Sequence, residues 1–383
     1  MLSYRPYRYP RLQAKLPPRC RQCEDNEVHT DSVNKTEFKS CARHELGIIN
    51  MKKLVLNCLV IAALAVAVAF SSCGGRGSVS GSSGIAQDNM ILISGGSYKM
   101  GDFTGSFADT RPLHDVFLDS FYMSKYQLTV GEFRDFIEES GYITDCEKKK
   151  GGNVFLIENG RQSFEHDSLA SWKYVGYVPD DRQPVTFVSW IDVVNYCNWI
   201  SKKENLTCCY QIIGDSVYWD KSAKGYRLLT EAEWEYVARS GGKNYKFAWG
   251  NDSIPMINGQ KAANIKCETF KKACWAHVNL KPVWEGYESG YFYTSPVGSF
   301  APNELGIYDM CGNVYEWCWD WLDDNYYSES PVNNPDGPAT GTKRICRNVG
   351  YACPIEQIGT THRGRAEPNS FGDNMGFRIG RSK

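Results

Sequence analysis

The sequence has almost no net charge. Its 43 lysines and arginines are balanced by 44 aspartates and glutamates, which gives a formal charge of -1 at pH 7. Proteins that bind nucleic acid or lie on an anionic membrane surface carry an excess of basic residues. The charge balance therefore argues against nucleic acid or an anionic membrane surface as the main partner. The 383 residues suffice for one large domain or two ordinary ones.

The sequence also lacks the residues that two classes of enzyme require. Only six histidines occur, and there is no separate His-rich helical domain that could supply a two-histidine, one-carboxylate iron site. No Gly-x-Ser-x-Gly segment is present, so the nucleophile elbow of a serine hydrolase is not indicated. No internal repeat of fixed period and no alternation of strands with helices is found.

An apolar run extends from Leu54 to Phe70. One interpretation is a transmembrane anchor, but the run is shorter than the ~20 residues that a membrane-spanning helix needs. It follows Met51-Lys52-Lys53 and ends in small residues before Cys73, a pattern typical of a secretory signal peptide. A cysteine at the cleavage point indicates the bacterial lipoprotein type. We therefore predict a signal peptide at 51–72, lipidation of Cys73, and a lipid-anchored location in the bacterial cell envelope, in a leaflet that the sequence leaves open.

The remaining boundaries follow from this signal. Residues 1–50 are predicted to be an upstream extension outside the fold, and its Cys20-x-x-Cys23 pair lacks the second pair of a zinc site. Residues 73–88 include the Gly/Ser-rich run GGRGSVSGSSG and are predicted to form a flexible tether. Residues 89–383 are predicted to form the folded domain. Ten cysteines remain after Cys73, and an even number in an exported chain permits either disulfides or buried thiols. They are Cys146, Cys197, Cys208, Cys209, Cys267, Cys274, Cys311, Cys318, Cys346 and Cys353.

Short helices and strands are expected in the folded domain. Residues 90–101 predict two strands around a Gly95-Gly96 turn, 114–123 one strand, and 210–219 a hairpin with Gly214-Asp215 at its turn, whereas 141–182 predict loops. Together these features predict the α+β class with much irregular backbone. Three helix starts carry capping-box spacing: Thr129 with Glu132, Ser189 with Asp192, and Thr230 with Glu233.

The stretch from Glu304 to Trp321 is unusually aromatic and also carries carboxylates. A carboxylate such as Glu316 inside an aromatic cluster must be hydrogen-bonded, paired or bound to a metal, because an isolated buried charge is too unstable. Two alternatives therefore stay open: Glu316 is held by backbone amides in a core turn, or it binds a cation.

Five segments in order resemble the sulfatase-modifying-factor family, whose best-known members are the formylglycine-generating enzymes. The resemblance spans 90–381 and implies the loop-dominated formylglycine-generating-enzyme fold, related to C-type lectins. The segments are ISGGSYKMG (93–101), QPVTFVSWIDVVNYCNW (183–199), GYRLLTEAEWEYVAR (225–239), PNELGIYDMCGNVYEWCWDW (302–321) and MGFRIGR (375–381).

The resemblance also implies structural calcium, a hard cation that prefers oxygen ligands in irregular loops. One implied site comprises Asn264, Ile265 and Tyr291, although Ser289, with Glu288 beside it, stands where an acidic ligand is expected. The second comprises Gly312, Val314 and Glu316.

Oxidases of the family convert a substrate cysteine to formylglycine with copper and oxygen, and copper(I) prefers thiolates. The family supplies two cysteines after an Arg-Gly-Gly-Ser segment. Here Cys353 matches the first, but Ile358 stands near the place of the second, and Asn348-Val349-Gly350 replaces Gly-Gly-Ser. Cys353 is thus a candidate catalytic residue that lacks the second copper-binding cysteine. Two other roles stay equally open for it, a disulfide with Cys346 or an inert thiol.

The family groove implies a ligand site here, and its candidate residues are Arg347, Tyr351, His362, Arg363 and Arg365. His362 with Arg363 and Arg365 suits an anionic group, and the alternative is a solvated basic turn. The sequence therefore predicts a lipoprotein of this family that binds a peptide, glycan or protein partner without oxidising it. Two alternatives remain, namely an active oxidase acting on exported sulfatases and a structural lipoprotein of an envelope or secretion complex.

Overall fold

The computed structural model describes residues 89–105, 107–275 and 283–383. The predicted extension (1–50) with its Cys20-x-x-Cys23 pair, the signal peptide (51–72), Cys73 and the tether (73–88) lie outside the described residues. Within the described part of the chain, no helix is both long and apolar enough to span a bilayer.

The described residues form short strands and short helices joined by long irregular connections, which confirms the α+β prediction. The helices are α1 Val130–Ser140, α2 Asp145–Lys148, α3 Trp190–Lys203, α4 Glu231–Ala238, α5 Glu268–Ala273 and α6 Tyr326–Glu329. The strands are β1 Met90–Ile93, β2 Gly96–Met100, β3 His114–Leu118, β4 Phe121–Ser124, β5 Gly152–Glu158, β6 Arg161–Asp167, β7 Tyr210–Ile213, β8 Ser216–Trp219, β9 Tyr226–Leu228, β10 Met256–Ile257, β11 Gln260–Lys261, β12 Tyr315–Trp321, β13 Arg344–Arg347, β14 Gly364–Ala366, β15 Met375–Gly376 and β16 Ile379–Ser382.

Two four-stranded sheets form the framework. The first has the antiparallel order β1-β4-β16-β9. The second has the order β14-β13-β12-β15, in which β12 and β15 run parallel. The register of the second sheet places Glu316 of β12 beside Arg347 of β13 on one side and Gly376 of β15 on the other. The aromatic stretch thus meets the closing MGFRIGR segment.

The three predicted capping boxes are confirmed. Thr129, Ser189 and Thr230 each accept a hydrogen bond from the N–H three residues on, and the acid at that position bonds back to the cap. These reciprocal bonds satisfy N–H groups that a helix start otherwise leaves unpaired. The capping box therefore fixes where each of these helices begins.

The prediction of loops for 141–182 is wrong in part. Thr144 and Glu147 form a fourth capping box at the start of α2. The β5–β6 hairpin follows, and its two-residue turn is Asn159-Gly160, in which both residues have positive φ. This is the turn geometry that two-residue hairpins favour. Both signals were present in the sequence, but the polar composition of β6 hid the strand pattern.

The aromatic stretch is a strand with both faces buried rather than only a turn. Trp317 donates its indole N–H to the carbonyl of Val188 at 3.0 Å, and Trp190 of α3 donates to the carbonyl of Cys318 at 2.9 Å. Buried indoles need such acceptors. The two bonds attach α3 to β12 and hold the neighbouring Glu316 in a fixed place.

Candidate functional site

Glu316 lies at the centre of a fully buried ion pair. Arg378 of the closing segment donates to both carboxylate oxygens, at 2.6 Å to Oε2 and 2.7 Å to Oε1. Trp234 Nε1 donates to Oε2 at 2.7 Å, and Gln127 and Asn348 donate to Oε1 at 2.9 and 3.3 Å. A buried carboxylate is stable only when paired in this way. The prediction of backbone amides around Glu316 is wrong, because the donors are the side chains of Arg378, Trp234, Gln127 and Asn348.

The three residues of the second implied calcium site do lie together. Their oxygens, however, already face donors: the carbonyl of Gly312 accepts from Asn348 Nδ2 at 2.9 Å, and that of Val314 accepts from Gln127 Nε2 at 3.4 Å. With five hydrogen bonds on Glu316 as well, this donor set does not fit a hard cation, which needs free oxygen lone pairs. Within the described residues there is also no cluster of three or more His, Cys, Asp or Glu side chains placed to hold a metal.

The first implied calcium site fits better. Asn264 is buried, and its Oδ1 has no hydrogen-bond partner among the described residues, while its Nδ2 donates to the carbonyl of Tyr293 at 2.8 Å. An unpartnered amide oxygen is a ligand type that calcium accepts. Ile265 is buried beside it, and Tyr291 is exposed, with its carbonyl accepting from Ser289 Oγ at 2.8 Å. Calcium at Asn264 therefore stays a prediction.

Sequence reasoning missed a second unpartnered oxygen. Asp309 is buried, its Oδ2 accepts from the N–H of Gly298 at 2.9 Å, and its Oδ1 has no partner within the described residues. Burial raises the pKa of Asp309 to about 6. The sequence signal was its place in the aromatic stretch three residues before Gly312.

Cys353 is a buried thiol in the loop after β13. Its sulfur accepts from the N–H of Gly350 at 3.2 Å and donates to the Tyr315 hydroxyl at 3.4 Å. Burial raises the pKa of Cys353, so the protonated thiol dominates at neutral pH and its nucleophilicity is low. This environment is that of an inert thiol.

Cys353 forms no disulfide in the described part of the chain. Ile358 occupies the predicted position and is 3% exposed, in the same apolar cluster as Cys353. Cys346 belongs to a different cluster, around Trp317. All ten described cysteines are free, so the predicted alternative of a Cys346–Cys353 disulfide is not formed in this structure. An isoleucine therefore stands where the resemblance places the second of the two thiolates that copper(I) prefers.

Two of the predicted groove arginines are buried in ion pairs. Arg347 donates to Glu231 and Glu235 of α4, both at 2.9 Å, and Arg363 donates to both oxygens of Glu231, at 2.8 and 3.0 Å. Glu235 also binds Arg239 at 2.9 Å. Since the side chains of Arg347 and Arg363 are 0% and 1% exposed, their guanidinium groups bind α4 and do not face a ligand groove.

Tyr351 is covered by the β5–β6 hairpin. Phe155 of β5 lies 6.2 Å from Tyr351, centroid to centroid, and stacks on Phe270 at 5.9 Å. The N–H of Phe155 also donates to Asp373 Oδ2 at 2.8 Å. The part of the predicted groove next to Tyr351 is therefore filled by the protein's own hairpin.

His362 and Arg365 lie nearer the surface. Arg365 pairs with Asp109 and, at 2.9 Å, with Asp324. His362 stands edge-on to Phe107, with centroids 5.3 Å apart, and its Nδ1 has no partner within the described residues. Burial, and then the charge of Arg347, lower the pKa of His362 to about 4. His362 is thus neutral at pH 7 and does not supply the positive charge that an anionic ligand would need.

An apolar cleft adjoins the loop that follows Cys353. Its volume is about 390 Å³. Lys246 and Glu356 supply opposite charges at its lining, so it suits a ligand with one or two apolar side chains better than an ion. The aromatic and aliphatic residues that line it are Phe103, Phe107, Phe247, Trp284, Ile355 and Ile358.

The family model described as the sulfatase-modifying factor enzyme 1-like domain matches residues 78–383. The chain belongs to this family. It is 31% identical over 311 residues to the formylglycine-generating enzyme of Streptomyces coelicolor, covering 75% of this chain and 87% of that protein. It is also 29% identical over 349 residues to the chaperone protein LppX of Paenibacillus barcinonensis, covering 85% of this chain and 99% of LppX.

Among solved structures, PvdO from Pseudomonas aeruginosa is similar, with a TM-score of 0.53 and 30% identity, covering 77% of this chain and 94% of PvdO. The Treponema denticola variable protein 1 shares the fold with a TM-score of 0.53 at 24% identity. These matches confirm the formylglycine-generating-enzyme fold predicted from the five motifs.

Proposed function

We propose that this member of the sulfatase-modifying-factor family is an exported, lipid-anchored protein that binds a peptide or protein ligand and does not oxidise cysteine. The single observation that carries the proposal is the buried Ile358 where the resemblance places the second copper-binding cysteine. A branched hydrocarbon side chain cannot bind copper(I), and one thiolate alone does not make the two-coordinate site.

Three further observations support a non-oxidising role. Cys353 is protonated and bonded to Tyr315. The segment before it lacks the family's Gly-Gly-Ser and directs Asn348 to the carbonyls of Asp309 and Gly312, at 2.9 Å each. The LppX relative, similar over 99% of its length, is named a chaperone, and a chaperone binds polypeptide.

We place the apolar part of the ligand in the cleft beside the loop after Cys353. Aromatic walls give a peptide side chain a large apolar contact area, and such pockets at the centre of an interface supply most of the binding energy. The predicted groove residues Arg347, Tyr351 and Arg363 are unavailable because they are buried. A glycan ligand is less favoured, since six of the eleven lining residues are aromatic or aliphatic.

The competing function is a true oxidase, which is favoured by the 31% identity to the Streptomyces coelicolor enzyme and by the retained Cys353. The test titrates copper(I) into residues 74–383 and then measures the mass of a cysteine-containing substrate peptide after incubation with oxygen. We expect no stoichiometric thiolate-bound copper and no loss of mass from the peptide. Aldehyde formation that is lost in Cys353→Ser would refute the proposal.

The matched variant is Ile358→Cys, which restores the second sulfur at the family spacing. We expect this variant to bind one copper(I) through two thiolates, with the ultraviolet thiolate-to-copper absorption that the wild type lacks. If the wild type binds copper as well as the variant does, a different second ligand is present and the oxidase function is supported instead.

A further inference from the structure

Strand β6 has one edge without a partner strand in the described part of the chain. It pairs only with β5, in a separate two-stranded sheet, and five of its seven residues are exposed. Glu158 and Arg161 flank the two-residue turn and form a hydrogen-bonded pair between β5 and β6. Hydrogen-bonded and non-hydrogen-bonded pairs alternate along antiparallel strands, so the backbone N–H and C=O groups of Phe164 and His166 point away from β5. Neither makes a backbone hydrogen bond to another described element. Such an edge is a template for another strand.

The sequence of β6 is complementary to itself. It reads Arg-Gln-Ser-Phe-Glu-His-Asp over 161–167. If a second copy pairs antiparallel and centred on Phe164, Arg161 of each copy lies opposite Asp167 of the other. Opposite charges in such cross-strand positions attract and like charges repel. A parallel pairing in the same register would instead set Arg161 against Arg161. The charges therefore select the antiparallel arrangement.

The centre of this arrangement is aromatic. Phe164 is 64% exposed, and its ring centroid lies 5.6 Å from that of Phe155 on the neighbouring strand. In the centred register the two copies of Phe164 face each other on one side of the sheet. Four aromatic rings would then lie in a row across the four strands, from Phe155 of one copy through the two copies of Phe164 to Phe155 of the other. Cross-strand aromatic pairs of this kind stabilise sheets.

We propose that β6 is a homodimer interface, in which two copies join their hairpins into a four-stranded antiparallel sheet around a twofold axis at Phe164. Each contact occurs twice in such an isologous pair. One strand edge buries less area than the ~1,200 Å² of a standard interface, so the dimer is weak and reversible. The inference depends on β6 alone and is independent of the copper chemistry and of the ligand cleft.

Charge reversal tests the register. Residues 74–383 contain every described element, and sedimentation velocity is measured from micromolar to several hundred micromolar protein. We expect the wild type to dimerise reversibly, and Arg161→Asp or Asp167→Arg alone to weaken the dimer about tenfold, since each turns two attractions into repulsions. The double variant Arg161→Asp/Asp167→Arg should recover the wild-type affinity. A wild type that stays monomeric, or a double variant as weak as the singles, overturns the proposal.

A cross-linking experiment tests the centre of the pair. Phe164→Cys places two thiols opposite each other across the axis, at the ~5.5 Å Cα separation that a disulfide accepts. With diamide as the oxidant, we expect this variant to form a covalent dimer and Ile213→Cys, 57% exposed on another hairpin, to remain monomeric. Adding Arg161→Asp to Phe164→Cys should slow the cross-link. Equal rates for the two cysteine variants overturn the assignment.

Discussion

The buried pair of Glu316 and Arg378 gives a sharp test of what holds the centre of the domain. Replacing Arg378 with Met keeps much of the side-chain volume and removes the charge. Glu316 then keeps the three donors from Trp234, Gln127 and Asn348, but loses the counter-charge of Arg378 and two bonds of 2.6 and 2.7 Å. Removing one partner of a buried pair costs about 3–5 kcal/mol, and we expect Arg378→Met to fall in that range.

The reverse change should cost less. In Glu316→Gln, Arg378 still donates to the carbonyl of Tyr308 at 3.0 Å and reaches those of Lys125 and Ser124 at 3.3 and 3.4 Å. The amide can still accept from Trp234. We expect a loss of about 2–3 kcal/mol, and a double variant that is more stable than the sum of the single losses by about 2–3 kcal/mol.

The assay is urea unfolding at pH 7, followed by tryptophan fluorescence and circular dichroism on residues 74–383 and repeated with calcium or with EDTA. A loss below about 1 kcal/mol for Arg378→Met, or additive losses in the double variant, would refute the ion-pair account. If EDTA destabilises the wild type and not Glu316→Gln, then Glu316 binds calcium, contrary to the donor set in this structure. Equal effects of EDTA on both would instead support calcium at Asn264.

Two further outcomes are expected. His362 has its pKa lowered to about 4 by burial and by Arg347; its contribution to stability is present above the unfolded pKa of about 6.5 and is lost as the pH falls through about 4. Urea unfolding should therefore show the wild type losing up to about 3 kcal/mol relative to His362→Gln between pH 7 and pH 4, whereas parallel pH curves would contradict this. Gly160→Ala should destabilise the hairpin by about 1–3 kcal/mol, because Gly160 has φ 72° and an added Cβ would come within 2.6 Å of the Trp275 ring. Its control is Gly214→Ala, with φ 58° and open space around it; equal losses of thermal stability in the two variants would show that the Trp275 contact is unimportant.

Local signals predicted the elements that local chemistry determines. The capping boxes at Thr129, Ser189 and Thr230 gave three helix starts, since a cap is read from two residues three apart. The 210–219 hairpin followed from Gly214-Asp215 at its turn. The region 114–123 was predicted as one strand, but it breaks at Asp119-Ser120 into β3 and β4, which join different sheets. That break depends on tertiary partners that no local pattern specifies.

The partner of Glu316 illustrates the same limit at the site. The sequence showed that this carboxylate needed a partner, yet Arg378 lies 62 residues away and meets it because β12 and β15 run side by side. The arginines at 347 and 363 were expected to face a groove because the family resemblance places them there. Their ion pairs to Glu231 and Glu235 were not predictable from spacing, since the partners lie more than 100 residues earlier.

The ion pairs of Glu231 have a consequence for how members of this family are recognised. The acids of the segment GYRLLTEAEWEYVAR form ion pairs in the interior: Glu231 binds Arg347 and Arg363, Glu233 binds Arg227, and Glu235 binds Arg239 and also Arg347. The most recognisable residues of this segment therefore stabilise the fold. This chain keeps that segment although Ile358 stands near the place of the second sulfur. On the function proposed above, the stretch from 353 to 358, and not this segment, distinguishes an oxidase of the family from a ligand-binding member.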